Sequence, residues 1–496
     1  MQLDIGILIA FIIYFALMVW IGFYFYRKSN NISDYFLGGR SLGSWVTALS
    51  AQASDMSGWL LLGLPAAAFW SGLSAAWIAI GLALGTYFNW KLVAVRLRKF
   101  TYVADDSITI PQYLQNRFCS KSTAIRSVCA VIIFVFFLVY TASAFSTGAK
   151  LFQYVFHFDY VVALTVGAVI IISYTFLGGF LAACWTDFIQ GMLMFAALII
   201  VPVAAAFTTS GISPELIAGF GGPNYLNLFA DASGRVALVT IVSGLVWGLG
   251  YFGMPHILVR FMAIKDSSMI KKSRIIAMVW VLISLCAAVF VGIVGIAFLG
   301  GRGVYADVGA AEVIFMDLVT RLFPGFIAGI LLSAILAAAM STADSQLLVA
   351  ASAVSNDFYK ALFRKNASDR ELMWVSRTAV MVIAVVAYLL ALDPNSSVMG
   401  LVSYAWAGFG SSFGPVILLS LFWKRLTMKG AVAGMVVGGL TVVLWENVPV
   451  LAGTGLYSLA PGFALALAVI VAVSLLDREP SKEVQDLFER AKAARI

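Results

Sequence analysis

The sequence predicts an all-α integral membrane protein of about thirteen transmembrane helices, built around two helices that are interrupted inside the bilayer. Three observations carry this reading. Of 496 residues, 62% are hydrophobic and only 11% charged, whereas soluble domains hold roughly 45–50% apolar and about 25% charged residues. The apolar residues fall in long runs separated by short polar loops. Two of those runs, five apart, carry polar or glycine-rich clusters at their centres.

A span needs about 20 mostly apolar residues. The runs near 5–26, 43–70, 74–96, 124–149, 160–181, 187–208, 236–261, 276–300, 325–355, 374–392, 397–423, 430–449 and 456–476 qualify. The first has no Lys or Arg ahead of it and Arg27-Lys28 behind it, so it predicts a permanent span and not a cleaved leader. The ninth follows an amphipathic stretch, Ala310–Leu322, expected to lie in the interface. With the N-terminus outside, 28 of the 32 Lys and Arg residues fall on the inside and only Lys150, Arg235, Arg302 and Arg321 outside, which is the positive-inside asymmetry. The C-terminus is then cytoplasmic, and the tail 477–496 predicts a short solvated helix without an assigned function. The net charge of +8 flanks apolar runs instead of forming a stripe, which argues against nucleic-acid binding. Four cysteines without a Cys-x-x-Cys pair and two histidines argue against a disulfide framework or a zinc site.

The second run contains Ser50-Ala51-Gln52-Ala53-Ser54-Asp55-Met56-Ser57-Gly58-Trp59, and the seventh contains Gly244 through His256 with four glycines and Pro255. Such density unwinds a helix, and unwound backbone at membrane depth survives only where it is buried or lines a cavity. An odd spacing of five spans inverts the second half relative to the first, so five-plus-five inverted repeats place both breaks near the midplane, the position of a transporter binding site. For the seventh run alone, close helix packing through glycine is the alternative. Asp55 costs roughly 2.5–3.5 kcal/mol at a helix centre, so it serves an ion or solute pathway, caps the following half-helix, or does both. In the ninth run Ser341 lies one turn after Ala338, beside Thr342. These oxygens, with carbonyls of the unwound 53–56 region, suit a hard cation such as sodium; hydroxyls that merely bond back to the preceding turn are the alternative. A half-helix start near Gly58 offers N–H groups and a positive dipole end to a carboxylate. Trp247 and Tyr251, four apart and expected on one helical face, could close over a small ring with a cationic nitrogen; ordinary helix packing would also account for them and for Tyr140. Amides such as Gln52, Gln190 and Gln346 are few, which disfavours a sugar. Asp187, just past Gly178-Gly179, reads as a helix N-cap or an ion exit waypoint. Asp344 reads as a release residue or the partner of a basic group, and a proton-coupling role for His256 is conceivable but not needed.

At these residues the chain resembles the sodium:solute symporter family over essentially its whole length. The likeness is carried by Ser54-Asp55-Met56-Ser57-Gly58-Trp59, by Tyr174-Thr175-Phe176-Leu177-Gly178-Gly179-Phe180-Leu181-Ala182, and by Arg425-x4-Gly430-Ala431-x2-Gly434. Within the family it is nearest to bacterial members that take up proline, down to Arg40 and Trp185-Thr186-Asp187-Phe188. The resemblance implies a LeuT-like ten-helix core at 41–425, one extra helix and loop at 1–40, two extra helices at 426–476 and a tail at 477–496. It implies sodium at Ala53, Met56, Ala338, Ser341 and Thr342, and L-proline at Ser57, Gly58, Tyr140, Trp247, Tyr251 and Pro255. Asp55, Arg40 and Asp187 are implied in ion coupling. The expected function is sodium-coupled proline uptake across the bacterial cytoplasmic membrane by alternating access. A family symporter for another solute, such as pantothenate or a monocarboxylate, is the nearest alternative. A channel fits less well than two broken helices in one chain, and no catalytic motif supports an enzyme.

Overall fold

The computed structural model describes residues 4–26, 36–175, 179–208, 213–230 and 234–494, and these form helices with no β-sheet among them. In order they are α1 (Ile5–Tyr26), α2 (Ser44–Asp55), α3 (59–71), α4 (76–103), α5 (Ile110–Arg117), α6 (Ala124–Phe156), α7 (Tyr160–Thr175), α8 (Phe180–Thr208) and α9 (Pro214–Gly221). There follow α10 (Leu238–Val246), α11 (Pro255–Ala263), α12 (Ile270–Leu299), α13 (Ile314–Leu322), α14 (Gly325–Ser352), α15 (Asp369–Leu390), α16 (Val398–Phe422), α17 (Met428–Asn447), α18 (Leu459–Leu476) and α19 (Lys482–Ala493). Among the described residues ten helical stretches are long and apolar enough to cross a membrane, and eleven with the pair Leu238–Gly253 and Pro255–Ala263, which bends by 49°. Each of the thirteen expected segments nevertheless overlaps described helix, with 176–178 of the fifth lying outside the described residues. The tallies differ because helix runs without a gap from 59 to 103, so two expected spans pass as one, and because the apolar helix Tyr160–Ser173 is short.

The centre of the bundle is α2–α3, α6, α14, α16 and the bent pair. The apolar stretches of α14 and α16 are each 83% buried, against 39% for α1 and α17. The outer helices turn apolar side chains such as Ile12, Trp20 and Leu440 outward, as lipid-facing helices do. The stretch before α14 forms a 3-10 turn, Ala310–Val313, and α13. It is pinned to α6 through Asp317, whose carboxylate accepts from the hydroxyls of Tyr154 (2.6 Å) and Tyr305.

The tail departs from the solvated helix expected of it. α19 buries Val484, Leu487, Phe488 and Ala491. The Phe488 ring meets Phe100 edge-on at 5.4 Å and lies 5.0 Å from the Arg117 guanidinium. Its amphipathic period matches a docked helix as well as a free one, and the partner surface on α4 and α5 is invisible to a local reading.

Candidate substrate and ion site

α2 ends at Asp55 because the chain leaves helical geometry at Met56 (φ −78°, ψ 67°). The Met56 N–H still donates to Gln52 O (2.8 Å), and Ser57 N–H turns back to Asp55 O (2.8 Å). No side chain caps the half-helix that follows, so the expected capping role of Asp55 is not what this structure shows. Instead the buried Asp55 carboxylate accepts at Oδ2 from the Tyr251 hydroxyl (2.5 Å), while Oδ1 has no hydrogen-bond partner among the described residues. A carboxylate taken out of water without a cation is costly by several kcal/mol. The arrangement favours whatever brings positive charge to it.

Gly58 is where the break needs glycine. A Cβ there would stand 2.1 Å from Thr147 Oγ1, so the second half of the span lies directly on α6. Tyr140, also on α6, donates from its hydroxyl to Asp55 O (3.4 Å), and the Ser57 hydroxyl is buried on the same break.

The second break is a 3-10 segment, Trp247–Gly253, followed by Met254 in extended conformation (ψ 105°) and Pro255 at the first turn of α11. Pro belongs at that position because its missing N–H is not needed there. The 3-10 geometry corrects one expectation: at three residues per turn, positions 247 and 251 do not share a face. The two rings meet through Trp406 of α16 instead. Trp247 stacks on Trp406 (6.3 Å) and on Tyr457 (4.8 Å), and Tyr251 stands edge-on to Trp406 at 5.1 Å. The Trp406 indole N–H donates to Trp247 O at 2.8 Å. That approach requires Gly250, where a Cβ would sit 2.0 Å from the indole nitrogen. Trp59 completes the aromatic wall 6.2 Å from Trp247. Trp406 and Tyr457 were not foreseen. The Ala405-Trp406-Ala407-Gly408 sequence in mid-span was the one available signal for the first; the loop residue Tyr457 carried none.

On the facing helix α14, the Ser341 hydroxyl donates to Ala53 O (2.8 Å) and approaches Ala338 O (3.3 Å). The neighbouring Thr342 hydroxyl is fully buried and has no partner among the described residues. Thus Ala53, Ala338 and Ser341 converge, Thr342 adjoins them with a free oxygen, and Met56 is the cap residue three positions beyond Ala53. Neutral oxygens on two helices around an unbonded hydroxyl match the donor set a sodium ion takes.

The other ionic residues lie elsewhere. Asp187 sits two turns inside α8, not at its N-cap. It is fully buried, pairs with Arg260 of α11 (3.0 Å) and accepts from Ser50 (2.7 Å), while Arg260 also donates to Ser345 (2.5 Å), one turn beyond Ser341. Asp344 accepts from Ser345 at 3.1 Å. The His256 ring meets Phe137 and Tyr140 edge-on at 5.7 and 6.1 Å, and its carbonyl takes a further bond from Arg260. Arg40 does not touch Asp55. It binds Met262 O (2.5 Å), Ser107 O (3.0 Å) and Asp106 (2.8 Å), at the far end of α11. Desolvation lowers the Arg40 pKa to about 10 despite the Asp106 charge. Of the motif Tyr174–Ala182, residues 176–178 lie outside the described residues, as do 27–35 of the first loop.

Two broken helices joined at a buried carboxylate, with a hydroxyl pair on a third, are the arrangement that secondary transporters place at their binding sites. A solved Na+-coupled sialic acid symporter in a substrate-bound outward-open state superposes with a TM-score of 0.80 at 20% identity, covering 96% of this chain and 99% of that one. Mhp1, a nucleobase-cation-symport-1 family transporter in a closed conformation, follows at TM-score 0.55 and 14% identity, covering 93% of this chain and 99% of that one. Residues 35–438 match the sodium:solute symporter family, and the chain belongs to that family. It is a multi-pass membrane transporter and not an enzyme. Among its relatives are the osmoregulated proline transporter of Bacillus subtilis, 47% identical over 98% of both chains, and the high-affinity proline transporter of the same organism, 49% identical over 95% of this chain and 98% of the relative. The sodium/proline symporter of Escherichia coli is 48% identical over 99% of this chain and 97% of the relative.

Proposed function

We propose that this protein couples an inward sodium gradient to uptake of L-proline by alternating access, in the cytoplasmic membrane of a bacterium with its N-terminus outside and its C-terminus inside. The observation that carries the coupling is the shared helix. Ala53, bonded to Ser341, and Ser57-Gly58, at the solute side of the break, lie within five residues of one another around Asp55. Sodium held by the oxygens of Ala53, Met56, Ala338, Ser341 and Thr342 fixes the unwound backbone on which the proline pocket depends.

In that pocket the proline carboxylate meets the uncapped half-helix start at Ser57-Gly58. The apolar ring and secondary ammonium lie against Tyr140, Trp247, Tyr251 and Pro255, with Trp406 behind them. Asp55 adds the negative charge that retains sodium. Asp187 and Arg40 act indirectly: Asp187 through its ion pair with Arg260, and Arg40 by anchoring the end of α11. Residues 41–425 form the moving core, to which 1–40 and 426–476 add helices. The names of the relatives support proline over pantothenate or a monocarboxylate.

The test is uptake of labelled proline into proteoliposomes with and without an inward sodium gradient, challenged by unlabelled pantothenate and lactate. Sodium-driven, saturable uptake displaced by proline alone supports the proposal. Uptake indifferent to sodium would overturn it.

A further inference from the structure

We propose that the basic end of the bundle holds a binding site for the headgroup of an anionic phospholipid, between α5, the start of α6 and the π-helical segment Ala353–Phe363. A cavity of about 360 Å³ opens there, lined by Lys121, Arg126, Lys360 and Lys365 together with Gln112 and Gln115. Among the described residues no carboxylate lines it. The nearby Asp357 is buried and already taken, accepting from Arg126 (2.7 Å) and from Thr109 (3.0 Å). Arg126 is thereby neutralised, which leaves three lysines lining one space. Among the described residues none of the three forms an ion pair within 4.0 Å.

Positive-inside bias accounts for the side of the membrane on which these lysines lie. It does not account for their convergence on one cavity. Other cations of the same face have found acids: Arg40 with Asp106, Lys424 with Glu489, and Lys429 with Asp477. Three lysines and two amides around an open volume are a donor set for phosphate oxygens, and basic pockets between spans on this face are the sites anionic headgroups take.

The lipid is favoured over a free anion by what lies deeper. A mostly apolar groove of about 570 Å³ is formed by the same two elements and α15, lined by Phe134, Val354, Trp374, Ala379 and Val382, with Glu371, which accepts from the Tyr359 hydroxyl at 2.7 Å, also on its wall. Phe134 is eight residues along α6 from Arg126, about 12 Å into the membrane. A headgroup at the lysines therefore has a place for its acyl chain beneath it. Trp374, 59% exposed at the start of α15, marks the interfacial level.

The test uses the purified full-length protein in nanodiscs of phosphatidylcholine doped with spin-labelled phosphatidylglycerol or spin-labelled phosphatidylcholine, with tryptophan quenching as the readout of lipid residence. The proposal expects phosphatidylglycerol to be preferred. It expects Lys121→Gln/Lys360→Gln/Lys365→Gln to lose that preference by about 100-fold, at roughly fivefold per lysine. A control removing paired cations of the same face, Lys424→Gln/Lys429→Gln, should keep it, and Lys121→Arg/Lys360→Arg/Lys365→Arg should restore it if the Gln variant folds poorly. Equal loss in the control, or undiminished preference in the triple Gln variant, would overturn the site. Inorganic phosphate at millimolar concentration should leave the quenching unchanged; displacement of the labelled lipid by phosphate would reassign the cavity to a free anion and overturn the lipid proposal.

Discussion

Thr342→Val should make the protein more stable without sodium and a weaker binder of sodium. Valine replaces the hydroxyl by a methyl of nearly equal volume, so the packing of α14 against α2 is kept. The hydroxyl it removes is fully buried and makes no hydrogen bond among the described residues. A buried polar group in that state costs about 1–3 kcal/mol, and this is the stabilisation expected in potassium buffer. At the proposed site the hydroxyl would become an ion ligand in sodium. A contact of a neutral oxygen with a charged partner is worth about 1.5–3 kcal/mol net, so the half-saturating sodium concentration should rise by about tenfold or more. Ser341→Ala provides the contrast. Its hydroxyl satisfies Ala53 O at 2.8 Å, so its loss orphans a buried carbonyl and should destabilise the sodium-free protein while weakening sodium binding similarly. The assay is thermal unfolding in detergent across a sodium titration at constant ionic strength, paired with proline binding. A sodium-free midpoint that falls in Thr342→Val, or an unchanged sodium titration, would refute the assignment of that hydroxyl to the ion. At saturating sodium the proline affinity of both variants should largely recover, because the solute contacts are untouched.

Asp55→Asn keeps the side-chain shape but removes the buried charge, so sodium dependence should collapse while the protein still inserts; normal sodium-coupled uptake would leave Asp55 without an ionic role. Trp406→Phe loses the 2.8 Å bond to Trp247 O, worth about 1 kcal/mol; proline affinity should fall about fivefold in a binding assay at saturating sodium, and an unchanged affinity would remove Trp406 from the pocket wall. Gly58→Ala drives a methyl to 2.1 Å from Thr147 Oγ1 and should abolish proline binding, with partial recovery in Gly58→Ala/Thr147→Ala; a fully active single variant would show that α3 is not seated on α6.

Features set by local pattern are legible in the sequence. Long apolar runs specify spans because a bilayer demands internal hydrogen bonding over about 20 residues, and the clusters at 50–59 and 244–256 fall on the two breaks. Ser341 and Ala338 are neighbours by helical period, and their convergence on Ala53 follows once α2 and α14 pack. What failed needed distant partners or unusual helix geometry. α-Helical spacing places Trp247 and Tyr251 on one face, but glycines at 248, 250 and 253 permit the tighter 3-10 winding that turns them apart. Gly178-Gly179 ahead of Asp187 leaves a helix N-cap and an ion exit waypoint both open, and the cap is ruled out only because the helix is already formed from Phe180. Its Arg260 partner lies 73 residues away. Trp406 and the tail surface are likewise contacts between segments with no shared local pattern.

The Asp55–Tyr251 bond is where the two breaks become one device. It joins the C-terminal end of α2 to the 3-10 segment of the bent pair through a single hydroxyl. The same tyrosine holds Trp406 at 5.1 Å and receives Asn89 Nδ2 on its carbonyl at 3.0 Å, so its position registers α2, α4 and α16 together. A cation approaching Ala53 and Met56 brings positive charge to a carboxylate that has none nearby, and thereby relieves much of its burial cost. That relief is available only in conformations where α2 and α14 are close enough to share the ion. At the proposed site sodium would therefore select those conformations, and Ser57-Gly58 and the aromatic wall, carried on the same broken helices, would be set for the solute with them. Linkage makes the selection mutual: if sodium raises proline affinity by about 5–150-fold, proline must raise sodium affinity by the same factor. Tyr251→Phe cuts the bond without emptying the pocket, so it should shrink both factors together. A variant in which one factor falls and the other does not would show that the ion and the solute are not coupled through this helix.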